Sequence, residues 1–509
     1  MRADVAEPVD AADLKSASPS ESAGSSPAVR TSLIPLLCSL LAACGAADGG
    51  PVAVSVIGGE PGLTDSDTRA MGAADEVLAG AVAQGLLRFD AAGAIEPGLA
   101  ARWIVTDDGL SVLFRLDEEA RWPDGRPVTA HQVARRIRAA VAGRSRNPLR
   151  PLLSVVSRVQ STTNEVLELR LAAPRANLLT LFAQPELAMT RDGQGTGPYR
   201  IASRTAGLLA LEREVIRPDE EEPARERRLL RGERAGLGIT RFARGGTDLV
   251  LGGRLGDLPL ARAAELPAQA LRFDPAAGLF GLLAVDGNGV LADAGVRDAL
   301  SMAIDRDALV AALGVPGLVP RATVLPTAPG EVPIGAPAWA ASPLEARRRD
   351  AARLVAAAAE GGTAVPISVA VPEGPGYRLL FALLRRDWRT IGVEATAVPA
   401  RADADLRLVD QVAPSPALAW YLEPFSCPAA PICVPEVETA LAASRVERDP
   451  ALRRAQQVAA AERIAAEALF IPLAAPVRWS LVGPRITGFR PNPLARHSLL
   501  HLTDAEARR

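Results

Sequence analysis

The chain is poor in the side chains on which many enzymes and metal sites depend. Among its 509 residues are three histidines, four cysteines and one lysine, Lys15, and aromatics make up 4%. It holds no G-x-S-x-G, no P-loop and no H-E-x-x-H. Nor is there a Cys/His pair outside the N-terminal region that could act as nucleophile and base. These absences remove the common hydrolase, NTPase and metalloprotease readings, and no enzyme is expected. Acidic pairs such as Asp107-Asp108 exist, but adjacent carboxylates on a turn are solvated. His497 and His501 stand four apart in a terminal strand and loop, where they are polar positions, so neither a metal nor a cofactor is expected. An apolar run of about 20 residues is also lacking, which makes a permanent membrane span the weaker reading. Excess charge of one sign is missing too. The chain has 57 basic and 59 acidic residues, of which three and five precede Cys44, leaving 54 of each beyond it. A nucleic-acid partner would demand a basic excess.

What is present is a foldable interior. Hydrophobic residues are 48% and charged residues 23%, the balance of a globular chain. TSLIPLLCSLLAAC, Thr31 to Cys44, follows Arg30 without a charge and has the basic start and short apolar centre of an export signal. Leu41-Ala42-Ala43-Cys44 resembles the bacterial lipobox, which implies cleavage and a lipid on Cys44. The acidic, Ser-rich stretch before Val29 is the opposite of a signal start, so residues 1–43 are read as a spurious extension followed by a lipoprotein signal peptide. Beyond it 466 residues remain, enough for two or three domains. Export leaves two cysteines in the folded part, Cys427 and Cys433 in SCPAAPIC, and an even pair in an oxidising compartment reads as a local disulfide.

Short strands and capped helices alternate along the chain. VAVSVIG opens the folded part as a strand, and LSVLFRL is another. Thr129 and Gln132 form a capping box for a helix with Val133, Ile137 and Val141 in line. Asp293 caps a single helix through VRDALSMAIDRDALVAAL, with Val296, Leu300, Ile304 and Ala308 as its stripe and Gly314 as its stop. Ser342, Pro343 and Glu345 start the next helix, closed by Gly361-Gly362. VPISVAV, GYRLLFALLRRDWRTI and GVEATAV then read as β-α-β, with Leu380, Leu384 and Trp388 on the buried face. Asp449-Pro450 opens a helix through Ala468, followed by FIPLAAPVRWSLV as strand. RPDEEEPARERR, Arg217 to Arg228, reads as a solvated excursion.

Four blocks in this order resemble the family 5 extracellular solute-binding proteins of ABC importers, a group of oligopeptide, dipeptide and nickel receptors. They are QGLLRFD through ARRI (Gln84 to Ile137), GTGPYRI (Gly195 to Ile201), VRDALSMAIDRDALV (Val296 to Val310) and the ending from Phe470 through Gly488. The resemblance implies an α/β, two-lobed periplasmic-binding-protein fold (type II, cluster C) with an extra domain inserted in the N-terminal lobe. Its chain path implies lobe I at 44–83, 189–275 and 475–509, the extra domain at 84–188 and lobe II at 276–474. Hinge crossings are implied near Arg272 to Asp274 and Ala475 to Arg478. The function it implies is a monomeric, lipid-anchored periplasmic receptor that hands a small solute, peptide or peptide-like, to permease subunits. A sensor or chaperone-like binder without transport and a metal-chelate receptor are the alternatives.

Peptide-binding members place an aspartate against a ligand's amino terminus. Here the matching stretch, LRLVDQVAPSPALAWYLEPF, puts Val412 at that position, and Asp410 lies two residues early on the same strand face. The candidate ligand residues are therefore Asp410, Trp420 and Tyr421 beyond it, and Glu60 at the end of the first strand.

Overall fold

The computed structural model describes residues 50–216, 222–327, 333–359 and 364–504. The apolar run, Cys44 and Gly361-Gly362 lie outside the described residues.

The first lobe grows around VAVSVI. Val52, Val54 and Val56 point into an interior where none is more than 1% exposed. Ser55, equally buried, donates its hydroxyl to Glu233 at 2.5 Å, so the strand's one polar side chain keeps a partner. This strand, Val52–Ile57, lies in a seven-stranded sheet. The order runs Arg200–Thr205, Leu208–Val215, Ala224–Glu233, Val52–Ile57, Leu249–Arg254, Arg478–Val482, Leu271–Phe273. Val52–Ile57 is parallel to both its neighbours, so helical crossovers are required, and Ala73–Val82 and Ala235–Ala243 supply them.

The end of the charged stretch expected to be solvated, from Ala224 to Arg228, belongs to a strand. Ala224–Glu233 pairs with Val52–Ile57, Val52 opposite Arg228. Arg228 is only 4% exposed. Burial is tolerated because the charges match across the ladder: Glu226 takes Arg213 at 2.7 Å and Arg228 at 3.3 Å, and Arg227 pairs with Glu212 at 2.8 Å. Residues 217–221 lie outside the described ones.

The second lobe has a five-stranded sheet in the order Val393–Pro399, Val365–Val371, Leu406–Val412, Gly278–Ala284, Phe470–Pro472. The β-α-β expectation is met: Val365–Val371 and Val393–Pro399 are parallel, joined by Pro375–Arg389. Leu380, Leu384 and Trp388 are at most 1% exposed, and the Trp388 indole donates to the Leu300 carbonyl at 2.9 Å.

Three local expectations change. The single helix from Val296 is two, Ala294–Ala303 and Arg306–Leu313. Asp305 breaks it: its carboxylate caps Ala308 at 2.9 Å while its own N–H donates to Asp387 at 3.0 Å, so side-chain bonds replace the helical ladder. At the next helix Pro343 occupies the cap position and Ser342 makes no cap bond, one residue too early. FIPLAAPVRWSLV is also two strands, Phe470–Pro472 in the second sheet and Arg478–Val482 in the first. Residues 473–477 thus cross between lobes, as do 274–277 between Phe273 and Gly278. The crossings touch, since the Asp274 N–H donates to the Arg478 carbonyl at 3.0 Å.

A separate antiparallel sheet, Ala100–Val105, Ser111–Leu116, Val166–Leu171, Val156–Ser161, packs on helix Ala130–Val141. Thr129 and Gln132 cap that helix reciprocally. Phe114 and Phe182 meet edge to face at 5.6 Å in a core of its own. Among the described residues no helix is long and apolar enough to cross a membrane.

Candidate ligand site

The strand Leu406–Val412 carries Asp410 toward the first lobe, and there it meets Arg478 at the end of a crossing. Their side chains are 4% and 10% exposed. Arg478 donates one nitrogen to the carboxylate at 2.7 Å and another to the Asp410 carbonyl at 3.1 Å. The Tyr377 hydroxyl donates to the second carboxylate oxygen. Burial first, then the Asp410 charge, push the Tyr377 phenol far up, so it stays a donor. Backbone packing supports this cluster. A methyl at Gly376 would stand 1.9 Å from the Leu255 carbonyl, and one at Gly256 would stand 2.6 Å from the Tyr377 ring. Only glycine lets the start of Pro375–Arg389 come this close to the other lobe.

The remaining predicted residues are placed apart from Asp410. Trp420 and Tyr421 sit on the short helix Leu418–Leu422, edge to face at 5.1 Å. Tyr421 is 1% exposed in the second lobe's core, with Trp420 packed half-buried beside it. Glu60 is exposed beyond the first strand. Cys427 and Cys433 form the expected disulfide. His497 turns to Asp274 at 3.1 Å and His501 to Glu96 at 3.2 Å. No group of three potential metal ligands occurs among the described residues.

A larger opening lies elsewhere. A cavity of about 590 Å³ separates the four-stranded part from the second lobe, a volume in the range of small-molecule sites. Leu152, Val155, Leu178 and Leu181 line one wall; Ser415, Pro416, Leu418 and Leu441 line the other. Contacts bridge the two sides: Arg175 donates to the Arg445 carbonyl at 2.6 Å, Arg448 to the Ala172 carbonyl at 3.3 Å, and Gln184 to the Pro414 carbonyl at 2.5 Å. None of Asp410, Trp420, Tyr421 or Glu60 is on its lining.

The charge on this lining is unbalanced. Arg175, Arg445, Arg453 and Arg454 face one acid, Glu423. Arg445 is held by Glu423 at 3.4 Å and Glu438 at 2.9 Å. Burial, with Arg453 nearby, pushes the Arg175 guanidinium down to about 10, still protonated at neutral pH. Burial also raises the Glu423 carboxyl, against the pull of Arg445.

Residues 94–219 match the family model described as bacterial extracellular solute-binding proteins, family 5 Middle. That stretch thus resembles the family 5 solute-binding proteins. Solved structures carry the same fold. The Haemophilus influenzae OppA complex with RPPGFSPFR is 17% identical and aligns over 89% of this chain and 99% of that one, with a TM-score of 0.74. The Escherichia coli murein tripeptide binding protein MppA gives the same four values. The binding protein AgaA of A. tumefaciens R10, in complex with agropinic acid, is 17% identical over 88% and 96% with a TM-score of 0.68. At such identities the likeness is one of fold. No curated protein matches the chain.

The family 5 blocks acquire physical meaning here. In GTGPYRI, Tyr199 is fully buried, its hydroxyl 3.3 Å from Glu226 and its ring beneath Arg213, which ties that block to the charged strand. Sequence reasoning missed Arg478 and Tyr377, and it missed Arg175, Arg453, Arg454 and Ser415. Arginine supplies nearly every cation in this chain, so no single arginine stands out from its neighbours.

Proposed function

We propose that this protein is a lipid-anchored, monomeric family 5 receptor. It captures a small solute, peptide or peptide-like, in the periplasm and delivers it to the permease of an ABC importer. The observation that carries the reading is the cavity between the four-stranded part and the second lobe, bridged by Arg175, Arg448 and Gln184. In this reading residues 84–188 form an extra domain of lobe I, and lobe II is 276–474. A ligand that touches both walls prefers the closed arrangement and so drives a hinge at the two crossings.

The peptide RPPGFSPFR bound by H. influenzae OppA supports a peptide or peptide-like solute, and agropinic acid bound by AgaA shows the same fold holding a small acid. Asp410, already paired with Arg478 and Tyr377, has no charge to spare for an incoming amine. In this reading it holds the lobes on the hinge side and the solute sits in the cavity. Cys44 carries the lipid.

The test is a thermal-shift screen of the soluble chain beginning at Gly45, with peptides, acylated amino acids, organic acids and sugars. Binding to the folded state raises the melting temperature with ligand concentration. A screen without a shift, together with a native mass spectrum free of ligand, would overturn the receptor reading. Labelled palmitate on the full chain but not on Cys44→Ser tests the anchor.

A further inference from the structure

We infer that the cavity between the four-stranded part and the second lobe takes an anionic solute with an apolar body, its negative group held by Arg175, Arg453 and Arg454 and hydrogen-bonded by Ser415. This rests on the receptor reading and names its substrate class.

Two independent observations support it. One is the charge on the lining. Among the described residues Arg445 is the only lining arginine with carboxylate partners, Glu423 and Glu438. Arg175 bonds only carbonyls, of Pro174, Ser444 and Arg445, and Arg453 bonds the Glu447 carbonyl. Neither these two nor Arg454 has an ion pair among the described residues. Cations gathered in a partly dry space repel one another, and an incoming anion relieves that repulsion. The second observation is Ser415. It is 2% exposed, lines the cavity, and its hydroxyl has no hydrogen-bond partner. Buried hydroxyls without a partner are rare and destabilising, and a ligand oxygen would satisfy this one.

The rest of the chamber selects the body of the ligand. Leu152, Val155, Leu178, Leu418 and Leu441 face it, while the only acid, Glu423, is occupied by Arg445. A cationic solute would meet unpaired arginines; a small inorganic anion would leave the leucine walls empty.

The experiment titrates the protein calorimetrically with matched pairs, each a free acid and its uncharged amide. The pairs are acetylated leucine di- and tripeptides and straight-chain mono- and dicarboxylic acids. The acid of at least one pair should bind tenfold or more tighter than its amide, and the gap should shrink as salt rises. Arg454→Gln, an exposed residue without an ion pair, should narrow the gap severalfold; Ser415→Ala should weaken the acid and spare the amide. Arg175→Gln should narrow the gap further, and Arg454→Gln keeps the test valid if that variant folds poorly. Equal binding of acid and amide, preference for a free amine, or a neutral or cationic co-purified ligand would overturn the inference and leave the receptor reading standing. If no probe binds and no ligand co-purifies, both fall.

Discussion

Two clusters of charge in this protein are both built on arginine and behave oppositely: the pair at the crossing is buried, whereas the cavity arginines are half-buried or, at Arg454, exposed. At the hinge, Arg478 finds a carboxylate at 2.7 Å and the acid's other oxygen is held by Tyr377. Around the cavity, Arg175 and Arg453 find only carbonyl oxygens. The first cluster is complete without a ligand and joins the lobes. The second is incomplete, and its missing partner is an anion. The state of pairing separates the two clusters: one arginine has its carboxylate, the others have only carbonyls.

The hinge cluster should break hardest. Arg478→Met leaves the buried Asp410 charge without its counter-ion and with only the Tyr377 hydroxyl, so the loss of stability is expected to be about 3–5 kcal/mol, read as a lowered urea midpoint at unchanged slope. Adding Asp410→Leu should restore most of it. If the single change leaves the midpoint where it was, the pair does not join the lobes. Gly376→Ala attacks the same contact through the backbone. Its methyl would stand 1.9 Å from the Leu255 carbonyl, and such overpacking costs about 1–3 kcal/mol. A melting temperature equal to that of the parent would mean that the helix start shifts freely away from the other lobe.

On the cavity side the same kind of truncation should matter less for stability. Arg175→Gln removes bonds to the Ser444 and Arg445 carbonyls and also removes the repulsion from Arg453. The two effects oppose, leaving a change within about 1 kcal/mol. A loss as large as that of Arg478→Met would show that Arg175 belongs to the architecture, and would dissolve the contrast between the clusters.

These contrasts also explain what could be read from the sequence. Strands and helices whose signals are local were legible: the alternation in VAVSVI, the capping box at Thr129 and Gln132, and the buried stripe ending at Trp388. The helix break at Asp305 was not, because its cause is Asp387, 82 residues away. The start of the charged strand, Ala224 to Arg228, read as solvent-facing for a similar reason. Its neutralising partners Arg213 and Glu212 lie on another strand, and composition alone cannot place them. Asp410 was singled out by its motif neighbourhood as a ligand residue, and the structure places it in an ion pair apart from the cavity. Its counter-ion Arg478 sits across the crossing, and the cavity's arginines come from two regions far apart in the chain, Arg175 in one and Arg445, Arg453 and Arg454 on two consecutive helices in the other. Binding residues assembled from distant pieces leave no local spacing to detect.

The smallest expected effect concerns Glu423, the cavity's one acid, and it distinguishes the clusters by pH. Burial raises its carboxyl above the ordinary 4.5, with Arg445 and Ser426 only partly opposing. The folded state therefore takes up a proton at higher pH than the unfolded chain does. Between the raised value and 4.5 the native state binds more protons than the unfolded one, so this group's contribution to stability grows as pH falls through that window and levels off below 4.5. Glu423→Gln removes the titration, and the difference between parent and variant midpoints should slope across the window and be flat above it. An anion in the cavity should enlarge the slope, since it prefers Glu423 neutral. The opposite slope would mean that Arg445 outweighs burial, and that the cavity is better balanced in charge than the bonds around Arg175 and Arg453 imply.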